Sequence, residues 1–471
     1  MPNHKLTTAV ILAAGQGTKF WPYNVTRNKT AFPIANIPAI YRLVDSLIDL
    51  SIQNIIVVMG DHAASVRAAL RGSNAQIHFI QQAHPTGTAD AVLQAESILE
   101  SHLNANESFL VCAGDIVTSQ DNLATFISNI NQQQPYAAAL IQPLSKESPS
   151  DWLIPTVKEQ QITRIEGHPR DGRYRLAGVY AFQLPALAML RDNPGIMDTV
   201  PVGGMPPIES EIARSVQMMI EEGETVLAVE TVDYHVDLDK PWHILEANYR
   251  VIESMRKQLA DSDGNIIPAS ARIHDCAEIE GSVVLGENAV IGNRVVVRGD
   301  LWLGDNASVI NGAIIDGPVV IGRDVKVRDY CQIGGHSTLG PEGVYGHGAE
   351  FSGVALAKVY CYHYCEIWGV VGQAVDFGAA TVCGNLRFDD GETVWRVKGR
   401  AEVPTFASNA AYFGDFCRTG VNAIIMPGRR LGVYSCVGPG VVAYDDVPDR
   451  QMTLLKQELT TQPWGPERYG W

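Results

Sequence analysis

The chain has no apolar run long enough to cross a bilayer and no charged-then-apolar leader at its start, so a cytoplasmic protein is expected. It is short of positive charge: 36 Lys and Arg stand against 52 Asp and Glu, a formal net charge of −16. That excludes a general nucleic-acid surface, which needs a basic stripe, and an anionic ligand has to be met by a local cluster of cations. The eight cysteines show no C-x-x-C spacing, which predicts buried thiols and no disulfide framework. Low-complexity tracts are missing too. At 471 residues the chain exceeds one comfortable core, so two or three domains are expected.

What is present begins with the stretch Leu12 to Lys29, LAAGQGTKFWPYNVTRNK, which follows the apolar run Ala9–Leu12. The run reads as a buried parallel strand. Gly15 and Gly17 allow positive φ and let backbone N–H groups approach a phosphate, while Lys19 and Lys29 supply charge. Strand-like runs then alternate with helical patterns. Ile40–Leu50 is helical, Asn54–Met59 a strand, Ser65–Arg71 helical, Ile77–Ile80 a strand, Thr88–Leu99 a helix and Phe109–Ala113 a strand. This rhythm implies a mixed, mostly parallel α/β sheet, with ligands at the carboxyl ends of its strands.

The glycine loop followed by Asn28-Lys29-Thr30-Ala31-Phe32-Pro33-Ile34 resembles the signature of sugar-1-phosphate nucleotidylyltransferases. Lys19 stands where that family usually has Arg, and Asn28 where it usually has Pro. Four further patches follow in the family's order. Gln81–Ala91, with Gln82, Gly87 and Thr88, resembles the segment that reads a pyrimidine base; taken alone, Gly87-Thr88 is also an ordinary helix start. Val111–Asp115 is a strand ending in Gly-Asp, where Asp115 can offer a hard oxygen to Mg²⁺ or cap a helix. Leu176–Phe182, containing Gly178, resembles the strand beside the sugar, with Leu176 for the family's Asn. Val236–Asn248 resembles the family's closing run, in which Asp237, in preference to Asp239, takes the second metal-ligand position. Upstream, Glu166-Gly167-His168 stands for the family's Glu-Lys-Pro; Glu166 matches, the lysine that meets the sugar phosphate is missing, and Arg170, Arg173 and His168 are stand-ins.

The resemblance implies transfer of a nucleotidyl group from UTP or dTTP to a hexose-1-phosphate with release of pyrophosphate. Asp115 and Asp237 would hold Mg²⁺. Leu12, Ala14, Gly15, Gly17 and Thr18 would cradle the nucleotide with Gln82, Gly87 and Thr88. Lys19 would meet the leaving pyrophosphate, Lys29 the transferring group, and Gly178 and Glu166 the sugar phosphate. Such a step rests on positioning and charge neutralisation.

The second half carries the clearest periodicity. From Ile267 through Ile273, Ile279, Leu285 and onward to Leu339, an aliphatic residue recurs every six positions without a miss, with a small or branched residue mostly four further on. A period of six fits neither helix nor hairpin ladder; it fits a three-sided prism. It resembles the hexapeptide-repeat, left-handed parallel β-helix, whose families assemble as trimers, so a homo-oligomer is expected. The register breaks near Gly343–Gly369, where a loop or an irregular side is expected, and returns at Val371, Phe377 and Phe413. The expected division is residues 1–240 as the nucleotidyltransferase domain, 241–264 as a linker helix, 265–447 as the β-helix and 448–471 as a tail.

Phe377–Asp390 and Arg418–Gly428 resemble segments of archaeal-type bifunctional enzymes that also acetylate an amino-sugar-1-phosphate with acetyl-CoA. Asn385 matches their asparagine. The positions of their His and Tyr fall on Tyr362 and Cys365, with His363 one residue from the base position. Cys361, His363 and Cys365 share the alternation of one strand face, yet a metal site lacks its fourth ligand and core thiols fit better. A non-catalytic regulatory protein of the same two-part architecture is the reading from a different class; the departures at Asn28, Gly167, Leu176, Tyr362 and Cys365 suit it, the retained cations and carboxylates do not.

Overall fold

The computed structural model describes residues 6–145, 147–197, 199–200, 209–262 and 264–466. Nine strands make the first sheet: β1 (Thr8–Ala13), β2 (Asn54–Met59), β3 (Gln76–Gln81), β4 (Ser108–Ala113), β5 (Ala137–Pro143), β6 (Leu153–Lys158), β7 (Gln161–Gly167), β8 (Tyr174–Gln183) and β9 (Val226–Glu230). Their order across the sheet is β3-β2-β1-β4-β8-β5-β9-β7-β6. β1 runs parallel to β2 and β4, and β8 is antiparallel to β4 and β5. The chain moves outward one way from β1 to β2 and comes back to the other side at β4. The loops after β1 and β4 therefore part, and a crevice opens at their carboxyl ends. Residues on both faces of β1 are buried, which is why it reads as an uninterrupted apolar run. The expected single helix over Thr88–Leu99 is two, Thr88–Leu93 and Glu96–His102, broken at Gln94-Ala95.

A short ribbon outside the sheet matters more for function. Ile116–Thr118 pairs antiparallel with His235–Asp237, with Asp237 opposite Ile116. Through this pairing Leu238 N–H donates to the Asp115 carbonyl at 2.9 Å.

The helix Trp242–Ala260 then leads to the second half. Here Val290 pairs with Ser308, Ser308 with Lys326 and Lys326 with Val344, so one coil takes eighteen residues, three sides of six. The six-residue series from Leu285 to Leu339 forms the fully enclosed column inside this left-handed parallel β-helix. Ile267, the first residue of the six-residue spacing, lies outside this column and is 48% exposed, because no coil lies beneath it.

Of the two alternatives at Gly343–Gly369, a loop or an irregular side, the structure shows the irregular side. Coiling continues there, two residues tighter: Val344 pairs with Tyr360 and Glu350 with Glu366. One corner is removed, and Glu350–Ala355 and Glu366–Val371 run through it as single six-residue strands. Gly353 and Gly369 make this feasible, with φ of 123° and 142°. The real interruption comes later. Val382 pairs with Ile424, twenty-four residues more than a coil needs. The excess leaves the prism after Cys383 and carries a hairpin, Trp395–Val397 with Arg400–Glu402.

The two halves share a core. Phe20, Tyr23 and Phe32 from the first domain, Trp242, Val251 and Ile252 from the helix, and Val354, Val370, Trp395 and Tyr412 from the second form one buried cluster. Asn248 ties it polarly: its Oδ1 accepts from Ala35 N–H and Thr338 Oγ1, and its Nδ2 donates to the His336 carbonyl. Among the described residues no helix is long and apolar enough to cross a membrane.

Candidate active site

The loop after β1 opens into a cavity of about 450 Å³, lined by Leu12, Ala14, Gly15–Lys19, Lys29, Gln82, Gly87, Thr88, Glu209, Glu211, Asp239 and Lys398. Gly17 takes φ +60°, a left-handed turn that starts the short helix Thr18–Phe20 and keeps Gly15 to Lys19 on the cavity lining. Asn28, where a proline is usual, braces this loop. Its Nδ2 donates to the Ala13 carbonyl at 3.0 Å, and its Oδ1 accepts from Thr30 N–H, capping the turn that carries Lys29.

Lys29 reaches back into three carboxylates. It forms an ion pair with Asp115, and Asp239 and Asp237 add their charge. Burial alone would release its proton; the surrounding acids hold the ammonium well above its ordinary pKa. Lys19 pairs with Asp239 at 3.3 Å. Burial would push the Asp239 carboxyl up, but Lys29, Lys19 and Lys240 bring it down to about 2.

Asp237 lies behind Lys29 and is engaged by a residue that sequence reasoning missed. Arg175, only 2% exposed, forms an ion pair with Asp237, reaches Glu147 at 3.5 Å, and lies 4.0 Å from the ring centre of Trp152. Burial pushes the Asp237 carboxyl up, yet Arg175 and His235 hold it below its ordinary value. The signal was there: a lone arginine inside the apolar strand Tyr-Arg-Leu-Ala-Gly-Val-Tyr. On the far side of Asp237 a second cavity of about 360 Å³ is lined by Glu147, Trp152, Arg175, His235, His243 and Glu246.

The other expected residues divide. Gln82 is buried on the cavity lining, and its Nε2 donates to Asp90 Oδ2 at 2.7 Å. Thr88 Oγ1 donates to Glu211 at 2.8 Å. Gly178 has φ +66°, and a Cβ there would sit 3.8 Å from Asp237 Oδ1. Glu166 pairs with Arg164 at 3.0 Å and is not among the residues lining either cavity. Leu176 fills the apolar core with Tyr180.

In the β-helix, Cys361 and Cys365 point inward while His363 sits outside at a corner with φ +56°, so the three do not share a face. His363 Nδ1 lies 2.7 Å from His347 Nδ1, and Tyr362 Oη donates to Asp329 at 3.1 Å. Asn385 comes past the next side, where the insertion leaves the prism. Among the described residues no group of three or more His, Cys, Asp or Glu forms a metal site. Asp115 and Asp237 are engaged by Lys29 and Arg175; Asp237 lines the second cavity, and neither lines the glycine-loop cavity. As hard carboxylates they have the chemistry to hold Mg²⁺, an ion bound by one or two carboxylates together with substrate phosphates.

The glycine loop, the Lys19 and Lys29 ammonium groups and the Asp239 carboxylate line one cavity, with Asp115 paired to Lys29, and this is the equipment of an enzyme that handles phosphoanhydrides. The chain belongs to the nucleotidyl transferase family, whose pattern matches residues 8–254. It is 27% identical over 458 residues to the bifunctional protein GlmU of Methanococcus maripaludis, covering 96% of this chain and 98% of that one. It is 26% identical to a bifunctional sugar-1-phosphate nucleotidylyltransferase/acetyltransferase of Sulfurisphaera tokodaii, covering 93% and 98%. It is also 28% identical to a glucose-1-phosphate thymidylyltransferase of Streptomyces antibioticus, covering 60% and 74%.

Proposed function

We propose that the protein joins a pyrimidine nucleoside triphosphate, UTP or dTTP, to a hexose-1-phosphate and releases pyrophosphate. The observation that carries this reading is Lys29, held among Asp115, Asp239 and Asp237 at the mouth of the glycine-loop cavity. A phosphate oxygen of the sugar-1-phosphate attacks the α-phosphorus in line, and the bond to the β-bridging oxygen breaks. Gly15, Gly17 and Thr18 offer backbone donors to the triphosphate. Lys29 exchanges its carboxylates for the transferring phosphoryl group, and Lys19 steadies the departing pyrophosphate. Bound at Asp115 and Asp237, Mg²⁺ would supply charge neutralisation between the two phosphates. The test is pyrophosphate release with UTP, dTTP and CTP against hexose-1-phosphates, with Lys29→Ala and Asp115→Ala alongside. Loss of at least about 100-fold in each variant is expected; unchanged turnover in either removes that residue from the site.

A second reading, acetyl transfer from acetyl-CoA to an amino-sugar-1-phosphate by His363, with Tyr362 and Asn385, is favoured by the full-length match to bifunctional relatives. Thiol release from acetyl-CoA with glucosamine-1-phosphate or galactosamine-1-phosphate tests it; none from the pure protein ends it. Self-association through the β-helix is supported by Leu386 and Phe388, which are 74% and 103% exposed, beside Tyr444 and Met426.

A further inference from the structure

The β-helix reaches into the nucleotide cavity. The insertion after Cys383 folds into the hairpin Trp395–Val397 and Arg400–Glu402, whose two-residue turn is Lys398-Gly399. Both turn residues have positive φ, 47° and 84°, the type I′ geometry usually given to Asn-Gly. A lysine there is held in the left-handed region at a steric cost. The tip places Lys398 on the lining of the same cavity as Lys19, Lys29 and the glycine loop.

Three anchors fix the hairpin. Trp395 packs edge-on against Trp242 and Tyr412, each at 5.0 Å between ring centres, under the Arg430 guanidinium. Glu402 forms a buried ion pair with Lys240. Arg400 pairs with Asp151 at 3.1 Å and donates to the Ser150 carbonyl, which is also 3.0 Å from His168 Nδ1. The tip is thereby docked beside Gly167-His168.

Charge separates Lys398 from its neighbours. Lys29 is neutralised by Asp115 and Lys19 by Asp239. Among the described residues Lys398 has no carboxylate partner, so an incoming phosphate finds there an ammonium that needs no release from an ion pair.

We propose that Lys398 is a phosphate-binding residue of the nucleotidyl-transfer site, supplied by the β-helix domain. The ligand is a phosphoryl group of a substrate, either the triphosphate tail or the sugar phosphate. The proposal rests on the nucleotidyltransferase reading above, and the first domain's site is incomplete without the second domain's hairpin.

The test uses the full chain as wild type, Lys398→Ala, Lys398→Arg and Arg396→Ala. Arg396 is exposed on the same hairpin, one strand position from the inward-packed Val397, and is not among the cavity's lining residues. Steady-state pyrophosphate release is measured with each substrate varied in turn, and binding of inorganic tripolyphosphate with Mg²⁺ is measured by calorimetry. Lys398→Ala is expected to raise one KM by about tenfold, the loss of one charge-assisted contact. A rise for the nucleotide assigns the triphosphate tail and should be matched by weaker tripolyphosphate binding; a rise for the hexose phosphate assigns the sugar phosphate. Lys398→Arg should keep KM within about threefold, and Arg396→Ala should match wild type. Unchanged KM values in Lys398→Ala, or an equal loss in Arg396→Ala, overturn the proposal. A wild type that binds tripolyphosphate through Lys398 yet releases no pyrophosphate with any substrate pair overturns the reaction and leaves the binding role standing.

Discussion

Arg175 offers the most searching test of how the site is built. Its guanidinium is 2% exposed and holds Asp237 and Glu147 at once, with Trp152 against its face. Arg175→Met keeps most of the stem volume and removes the charge. Asp237 is then left buried, with Asp115 and Glu147 as like-charged neighbours. Breaking one side of a buried pair costs about 3–5 kcal/mol, because the remaining charge loses its partner without regaining water. The lost cation–π contact adds about 1–2 kcal/mol. A second change, Asp237→Asn, removes the stranded charge, so the double variant should recover about 2–3 kcal/mol relative to additivity. A chain with two domains sharing a core is not read by one unfolding midpoint; hydrogen exchange of β8, the strand carrying Arg175, reports the local opening free energy. Mg²⁺ supplies a second readout. With Arg175 gone, an ion competes with no guanidinium for Asp237, and added Mg²⁺ should restore exchange protection in Arg175→Met far more than in wild type. A cost below about 1 kcal/mol, or strict additivity with Asp237→Asn, refutes the reasoning.

The remaining predictions read other parts of the chain. Burial, helped by Lys240, lowers the His243 pKa to about 4, so the unfolded chain takes up a proton between about pH 6.5 and 4 that the folded one refuses. Stability should therefore fall as pH drops through that window, by up to about 3 kcal/mol from this group, and hydrogen exchange of the helix Trp242–Ala260 should show a shallower acid slope in His243→Gln. Gly369→Ala would set a Cβ 1.9 Å from the Ala411 carbonyl at a φ of 142°. It should cost well over 1 kcal/mol, seen as lost exchange protection in neighbouring coils, while an alanine accommodated without loss would contradict the tight corner. Replacing Leu386 and Phe388 with Ser should lower the mass found by light scattering if they cover a subunit contact, with the melting midpoint of the monomer kept; an unchanged mass removes that surface.

The sequence made legible whatever is periodic or local. Spacing by six placed Leu285 to Leu339 on the inner face, because a coil of three equal sides returns the same face to the axis. The glycine loop stood out because β1 is apolar on both faces and ends abruptly in small residues. The coil shortening at Gly353 and Gly369 could not be told from a loop by spacing alone, since removing one corner shifts the frame without breaking the ladder. Arg175 was missed because its role needs Asp237, sixty-two residues away, and Trp152. Lys398 was beyond reach, since nothing in Trp-Arg-Val-Lys-Gly-Arg says where an excursion from a prism will land.

Beyond that landing point, further contacts join the two halves around the site. The segment immediately after the glycine loop is held by the second domain: Tyr23 Oη donates to the Val370 carbonyl at 2.8 Å, Trp21 Nε1 to Asp449 at 3.2 Å, and Thr26 and Arg27 to the buried Asp415. The segment carrying the glycine loop is thus held between β1 on one side and the β-helix on the other. The cavity is lined by the loops of the first half and, from the second half, by Lys398 at the hairpin tip. A phosphate site needs its donors fixed before the anion arrives, since reorganising them in the transition state would consume the stabilisation they provide. Joining the loop to a stacked column of coils supplies that rigidity at a place where the α/β sheet alone offers a long, exposed turn.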